Sequence, residues 1–186
     1  MRIITGSARG MVIESLPGED TRPTLERVKE GVFSAIQFDI PGARVLDLFA
    51  GTGQMGLEAL SRGASAATFV DSSGDAVSII KKNAQKTKLM EKCTVVQYKW
   101  DEYVRGAARR GEKDFDLIYL DPPFGMGLQE EAVKAILKAG LLGENGKIIC
   151  EDENPAVIEA EGLSLYRQYK YGRTYITIYE KAASAI

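Results

Sequence analysis

Short apolar runs alternate with longer amphipathic segments between residues 43 and 151 of this 186-residue chain. A short apolar run bounded by turn residues is typical of a buried strand, and apolar residues at helical spacing are typical of a helix. The predicted strands are 43–48, 66–71, 93–98, 115–120 and 146–151, and the predicted helices are 54–62, 74–88, 100–110 and 128–139. This alternation predicts an α/β fold, a mostly parallel sheet with helices on both faces.

The N-terminal part of the chain departs from this alternation. An irregular arm, residues 1–23, precedes a segment at 24–37 whose apolar residues recur at helical spacing. Thr24 is the expected N-cap of that helix, because a threonine hydroxyl can accept from a free N–H of the first turn. No linker or repeat interrupts the rest, so we expect one domain over 1–186, with the core at 24–186.

The C-terminal part predicts two further strands that pair with each other. The apolar and aromatic segments 163–170 and 173–180 flank a turn at Tyr171 and Gly172. Two strands joined by so short a turn form an antiparallel hairpin. We therefore expect a sheet of seven strands, with this hairpin closing one edge.

Composition excludes several kinds of site. The chain has no histidine, which removes His-based catalytic triads and most zinc sites, and we expect no metal. Cys93 and Cys150 lie in predicted strands and are expected to be buried without forming a disulfide. No apolar run approaches the roughly 20 residues that span a bilayer, and the first ten residues lack a signal-peptide core. We expect a cytoplasmic protein with no membrane segment.

The charge balance argues against a uniformly basic surface. The chain has 24 Lys and Arg against 26 Asp and Glu, a net charge of −2. A polyanion could therefore be contacted only through local basic patches, and most charge runs are simply solvated. Two such clusters occur, one of Arg105, Arg109, Arg110 and Lys113 and one of Arg167, Lys170 and Arg173.

A glycine-rich loop, "GTGQMG" at 51–56, follows the first strand and opens the next helix. With Asp71 at the end of the second strand, it matches the dinucleotide fingerprint and by itself predicts NAD. Asp47, however, comes directly before the loop, where a carboxylate would repel a pyrophosphate and attract an ammonium. S-adenosylmethionine carries an ammonium and no phosphate, so it fits better. The candidate cofactor residues here are Asp47, Phe49, Ala50, Gly51, Thr52, Gly53, Gly56, Asp71 and Ser72.

The strand at 115–120 ends in "DPPF", whose prolines cannot continue a sheet ladder. By chain order this strand lies beside the first, so both loops face the crevice where open α/β sheets bind ligands. The Asp121 carboxylate and the Pro122 carbonyl could accept hydrogen bonds from an exocyclic amine of a nucleobase and direct its lone pair at a methyl donor. Pro123 would stiffen the turn and Phe124 would stack on the base. These four residues are the candidate catalytic set.

Four segments together resemble the RsmD family of ribosomal RNA guanine-N2 methyltransferases, within the Rossmann-like S-adenosylmethionine class. They are "RPTLERVKEGVF", "DLFAGTGQMGLEALSRGA", "LDPPF" and "YGRTYITIYE". The resemblance implies a Rossmann-like methyltransferase fold and methylation of the N2 amine of one guanine in small-subunit (16S) ribosomal RNA. It also implies S-adenosyl-L-methionine as cofactor, S-adenosyl-L-homocysteine as product, and a substrate presented within the small ribosomal subunit. We expect a monomer.

The resemblance extends to four weaker positions. It places Arg22 and Thr24 near the methionine end of the cofactor, although a helix cap and a surface arginine explain them equally well. After the third strand such enzymes usually offer an Asp or Asn to the adenine, but Lys99 stands there. Either the Asp101 side chain or the backbone at Trp100 would then contact the adenine.

Other functions stay open on the sequence alone. A DNA or RNA adenine-N6 methyltransferase uses the same chemistry, but it normally has extra sequence for reading its target. An NAD-dependent oxidoreductase would have no use for "DPPF". A catalytically silent RNA-binding protein would be expected to lack Asp47 or Asp121, and both are present.

Overall fold

The computed structural model describes residues 1–16, 23–123, 127–155 and 157–182. Within them, seven strands form one sheet and five α-helices pack on it. The strands are β1 (Arg44–Asp47), β2 (Ala66–Asp71), β3 (Cys93–Gln97), β4 (Phe115–Leu120), β5 (Leu142–Asp152), β6 (Leu163–Tyr171) and β7 (Thr174–Lys181). The helices are α1 (Pro23–Ala35), α2 (Gln54–Ser61), α3 (Gly74–Lys86), α4 (Trp100–Arg109) and α5 (Leu128–Ala139), with a short 3₁₀ turn at Met90–Lys92.

The sheet order is β3-β2-β1-β4-β5-β7-β6. Strands β1 to β5 pair in parallel, whereas β7 is antiparallel to both β5 and β6. The chain runs outward from β1 to β3 and then returns to β4 on the other side of β1. This reversal creates a crevice at the carboxyl ends of β1 and β4, where ligands bind in open α/β sheets. The predicted fold class, including the C-terminal hairpin at one edge, is confirmed.

Two hydrophobic layers cover the two faces of the sheet. Helices α1, α2 and α3, together with Ile3 and Ile13 of the N-terminal arm, pack on one face, and α4 and α5 pack on the other. Neighbouring strand residues such as Val45 and Leu46 belong to opposite layers because side chains alternate along a strand. Burial on both faces explains why the parallel strands read as continuous apolar runs. None of the described helices combines the length and the apolar character needed to cross a bilayer.

Two local predictions, the start of α1 and the burial of Cys93, differ from the structure. Helix α1 begins at Pro23 rather than after Thr24, because proline suits a first helical position where no N–H partner is needed. Cys93 is only half-buried, since it begins β3 near the sheet edge, while Cys150 is buried as expected; both are free. The side chain of Thr24 is outside the described part of the chain.

Strand β5 begins four residues earlier than its predicted start, at Leu142 instead of residue 146. The segment "GENG" at 143–146 has the composition of a turn, yet it continues the strand past a register shift opposite β4. A Cβ on Gly143 or Gly146 would lie 3.2 or 2.8 Å from the carbonyl oxygen of Phe115. These glycines therefore permit a close backbone approach rather than a reversal of the chain.

Candidate active site

The carboxyl ends of β1, β2 and β4 open into a cavity of about 740 Å³. That size suits a small-molecule or cofactor site. Most of the predicted site residues line it, namely Asp47, Phe49, Ala50, Gly51, Thr52, Asp71, Ser72, Trp100, Asp101, Asp121, Pro122 and Pro123. Arg22 and Phe124 lie outside the described residues, and so does the side chain of Thr24. Gly53 and Gly56 are described but lie behind the cavity wall.

Asp47 is the buried end of β1, with 2% of its surface exposed. Its Oδ2 accepts a hydrogen bond of 3.2 Å from the backbone N–H of Gly56. Burial raises the pKa of the Asp47 carboxyl from 3.8 to about 7, against the opposing effect of this hydrogen bond, and the negative charge of Asp71 adds to the rise. A carboxylate that is poorly solvated favours a cationic ligand group beside it.

Asp71, at the end of β2, fixes the loop that follows β1. Its Oδ2 accepts from the N–H of Gly51 at 2.8 Å, and its Oδ1 accepts from the N–H of Ser73 at 2.9 Å. Each carboxylate oxygen has a further lone pair, so Asp71 can still accept from a ligand hydroxyl in the cavity. The carboxylate therefore joins two strand-end loops while facing the ligand space.

Residues 48–53, which we call the glycine loop, connect β1 to α2. The glycines of this loop and of α2 serve two purposes. Gly51 and Gly53 have φ values of 53° and 77°, a backbone conformation that favours glycine. Gly56, inside α2, has no Cβ because one placed there would lie 2.3 Å from Cε1 of Phe69 on β2. Gly53 and Gly56 thus shape the loop and seat α2 on the sheet, and only Gly51 of the three lines the cavity.

Two aromatic rings frame the side of the cavity near β3. The rings of Phe49 and Trp100 lie 6.4 Å apart at 41°, and Trp100 opens α4 directly after Lys99. Asp101 forms an ion pair with Arg105 at 3.0 Å, so the carboxylate considered for adenine already has a cationic partner. Tyr98, 48% exposed, also lines the cavity; it was missed because the predicted strand 93–98 included it, whereas β3 ends at Gln97.

Residues 121–123, the proline turn, form the opposite wall. Asp121 is half-buried, Pro122 is buried and Pro123 is exposed. The turn is beside the glycine loop because β4 pairs in parallel with β1, with Tyr119 opposite Asp47. The two predicted functional loops therefore face one cavity.

Tyr119 lines the main cavity beside the proline turn, Glu151 lines a smaller cavity next to it, and the sequence analysis missed both. The buried Tyr119 hydroxyl donates a hydrogen bond to the Glu151 carboxylate on the neighbouring strand. Burial, followed by the negative charges of Glu151, Asp121 and Asp47, raises the pKa of Tyr119 well above its ordinary value. The phenol therefore stays protonated and donates. A carboxylate at the end of β5 was the available sequence signal, since it ends a strand beside "DPPF".

The N-terminal arm also reaches the site. Leu16 lines the cavity, and Asn83 of α3 is fully buried between the arm and the glycine loop. The Asn83 side chain accepts from the N–H of Glu14 at 2.7 Å and donates to the carbonyls of Glu14 and Thr52, each at 3.0 Å. One amide therefore ties the arm to the glycine loop. No local pattern in the sequence indicates this contact, which spans 69 residues.

Comparison with known proteins identifies the family. The family model described as Conserved hypothetical protein 95 matches residues 1–180. The Ribosomal RNA small subunit methyltransferase D of Haemophilus influenzae is 32% identical, over 97% of this chain and 93% of its own length. The chain belongs to the RsmD family, and it is a methyltransferase.

Two further relatives cover almost the whole chain. A candidate rRNA methyltransferase of Bacillus subtilis, YlbH, is 37% identical over 97% of this chain and 99% of its own. The solved structure of yhhF, a candidate methyltransferase from Escherichia coli, superposes with a TM-score of 0.86 at 32% identity and covers 99% of both chains. The resemblance inferred from four sequence segments is therefore confirmed for the family and the fold.

Proposed function

We propose that this RsmD-family protein transfers a methyl group from S-adenosyl-L-methionine to the exocyclic N2 amine of one guanine in small-subunit ribosomal RNA. The observation that carries the proposal is the placement of Asp47 and Asp121. Asp47 ends β1, and Asp121 directly follows β4, the neighbouring parallel strand. Both residues line one cavity together with the glycine loop. A site for a cationic cofactor and a site for an amine thus lie side by side.

The lining residues fit S-adenosyl-L-methionine. The buried Asp47 carboxylate suits the ammonium of its methionine part, and Asp71 suits the ribose hydroxyls. Phe49 and Trp100 offer aromatic surface to the adenine ring. Because Asp101 is paired with Arg105, we assign adenine recognition to the aromatic rings and to backbone groups at the start of α4. When bound, this cofactor supplies an electrophilic methyl group.

The proline turn binds the target amine of the guanine. The Asp121 carboxylate and the Pro122 carbonyl accept its two N–H groups, which favours a pyramidal nitrogen with its lone pair free. Pro122 and Pro123 hold these acceptors in place before the substrate arrives, so little ordering is needed during the reaction. The methylated amine carries an extra proton, which Asp121 can accept and pass to water. No histidine is required.

The substrate class is supported by the relatives, several of which are named as ribosomal RNA small subunit methyltransferases. The net charge of −2 agrees with a substrate that is presented by a folded particle rather than gripped as bare RNA. We propose that residues 1–186 act as a single domain, as a monomer and in the cytoplasm.

An NAD-dependent oxidoreductase has one observation in its favour, the "GTGQMG" loop with Asp71 bonded to it. Asp47 opposes that function, because it lines the same cavity where a pyrophosphate would sit. Calorimetric titration decides between the two ligands. We expect S-adenosyl-L-methionine to bind and NAD to give no heat above dilution.

Methyl transfer is tested with purified small ribosomal subunits from cells that lack this protein. The subunits are incubated with the protein and cofactor labelled in its methyl group. We expect the label in N2-methylguanosine after digestion to nucleosides, with Asp121→Ala protein as the control that transfers little. Label in N6-methyladenosine would refute the proposed reaction. So would the absence of any labelled nucleoside from a protein that binds the cofactor.

A further inference from the structure

The turn of the β6–β7 hairpin lies at the carboxyl ends of the parallel strands, on the side of the sheet where the active site opens. Asp152, at the carboxyl end of β5, pairs with Tyr175 of β7, and Tyr175 pairs with Lys170 of β6. The carboxyl end of β5 is in turn level with that of β4, since Cys150 pairs with Leu120. We define the hairpin tip as residues 170–175. Successive strands are about 4.8 Å apart, so the tip lies roughly 10 to 15 Å across the sheet from the proline turn.

The hairpin tip carries exposed cations. The Lys170 ammonium lies 5.2 Å from the centre of the Tyr175 ring, which orients it without neutralising it. The Arg173 side chain is 84% exposed, and its guanidinium is 4.0 Å from Glu153, the limit of an ion pair. Both cations are therefore available to an anionic partner.

The surroundings of the active site explain why cations are needed there. Asp71 and Asp121 line the main cavity, and Glu130, Glu151 and Asp152 line a smaller one beside the proline turn. Carboxylates at the mouth of a site repel an approaching phosphate backbone. Positive charge nearby offsets this repulsion for the phosphates that flank an entering guanine. Lys99 lines the main cavity itself, and the hairpin tip adds two further cations at the carboxyl ends of the strands.

Two cations of the other basic cluster, Arg109 and Lys113, lie at the end of the sheet opposite the active site. Arg109 ends α4 and Lys113 precedes β4, so both lie near the amino ends of the parallel strands. The backbone of Lys113 is bonded to Arg44 at the start of β1, which fixes this position. Arg110 is paired with Glu112 at 2.7 Å. Strand β4 has six residues, so about 20 Å of sheet separates this cluster from the proline turn.

We propose that the hairpin tip, through Lys170 and Arg173, binds the RNA phosphates that flank the target guanine, and that the Arg109 and Lys113 end of the molecule does not. The inference rests on the proposed function for the identity of the RNA. It assigns substrate binding to Lys170 and Arg173 and none to Arg109 and Lys113, two pairs of cations that the sequence alone does not distinguish.

The test compares two double variants with the same change in charge. Lys170→Gln with Arg173→Gln removes the cations of the hairpin tip, and Arg109→Gln with Lys113→Gln removes two exposed cations from the opposite edge. Binding to purified small ribosomal subunits is measured by co-sedimentation over a range of salt concentrations, without cofactor, so that the result does not depend on methyl transfer. Thermal melting verifies that each variant is folded.

We expect the hairpin-tip variant to bind about fivefold to tenfold more weakly and to lower the slope of log affinity against log salt by about 1.5, the share of two phosphate contacts. The control variant should stay within about twofold of the wild type. Equal affinities for the two variants, or a loss only in the control, would overturn the assignment. If the wild-type protein binds through the hairpin tip but transfers no methyl group, the proposed reaction is refuted and the assignment of the binding surface is retained.

Discussion

The glycine loop and the proline turn leave neighbouring strands and line the same cavity, but they are held in opposite ways. The glycine loop has positive φ angles and depends on side chains from other elements, with Asp71 bonded to Gly51 and Asn83 bonded to Thr52. The proline turn is restricted by its own rings. A loop that must bring its backbone close to a ligand cannot carry stiff side chains, so its order comes from elsewhere in the fold.

This comparison predicts different responses to substitution. Loss of the Asp121 carboxylate should affect the chemical step rather than cofactor binding, because its proposed partner is the amine of the substrate. A change in the glycine loop, or in the side chains that hold it, should affect cofactor binding and stability together.

The largest expected effect is on the rate. Asp121→Ala should slow methyl transfer by roughly 100- to 1,000-fold, the scale found when one preorganised electrostatic partner of a transition state is removed. Cofactor affinity should be unchanged. Single-turnover transfer with labelled cofactor measures the rate, and calorimetry measures the affinity. Glu161→Ala, an exposed carboxylate in the turn before β6, is the control and should transfer at the wild-type rate.

A second prediction concerns Asp47 and the cofactor. Asp47→Asn keeps an acceptor for the Gly56 N–H but removes the charge that would face an ammonium. We expect cofactor affinity to fall by about 10- to 100-fold, the worth of a charged hydrogen bond. Unchanged affinity by calorimetry would mean that the carboxylate only caps α2 and would revive NAD as a ligand.

Asp47 also predicts a pH dependence. Its pKa is raised from 3.8 to about 7, so its contribution to stability is complete below pH 4 and is lost as pH rises through 7. A bound ammonium favours the carboxylate, so binding at pH 6 should release a proton and affinity should rise toward neutral pH. Calorimetry in buffers of different ionisation enthalpy detects the released proton. Proton release that persists in Asp47→Asn would assign it to another group.

The smallest effect is expected at the contact between the arm and the glycine loop. Asn83→Ala leaves the Glu14 and Thr52 backbone groups without their partner, which should lower cofactor affinity about threefold to tenfold and reduce thermal stability. Lys82→Ala, an exposed neighbour on α3, should change neither. An Asn83→Ala protein that binds cofactor normally would show that the glycine loop keeps its shape without the arm.

The elements that sequence reasoning found best are those whose signals are local. The parallel strands are buried on both faces, so their apolar runs stand out, and Asp47, Asp71 and Asp121 were placed together because strand ends meet at one edge of a sheet. The start of β5 was missed because "GENG" combines turn residues with a close approach to β4 that only the assembled sheet reveals.

The missed site residues depend on contacts distant in sequence. Asn83 acts through partners on the arm and the glycine loop, and Tyr119 acts through Glu151 on the next strand. Gly56 was predicted to approach the cofactor, whereas it makes room for Phe69. The spacing of the glycines is the same whether Gly56 contacts a cofactor or makes room for Phe69, so only the packing of α2 on β2 distinguishes these two roles.

The most direct test of the account is a map of methylated guanosines in small-subunit ribosomal RNA, obtained by mass spectrometry from cells with and without this protein. We predict that one N2-methylguanosine is missing in its absence, and that it returns with the wild-type protein but not with Asp121→Ala. Identical guanosine maps in the two cells, or the loss of a methylated adenosine instead, would contradict the assignment of the proline turn to a guanine amine.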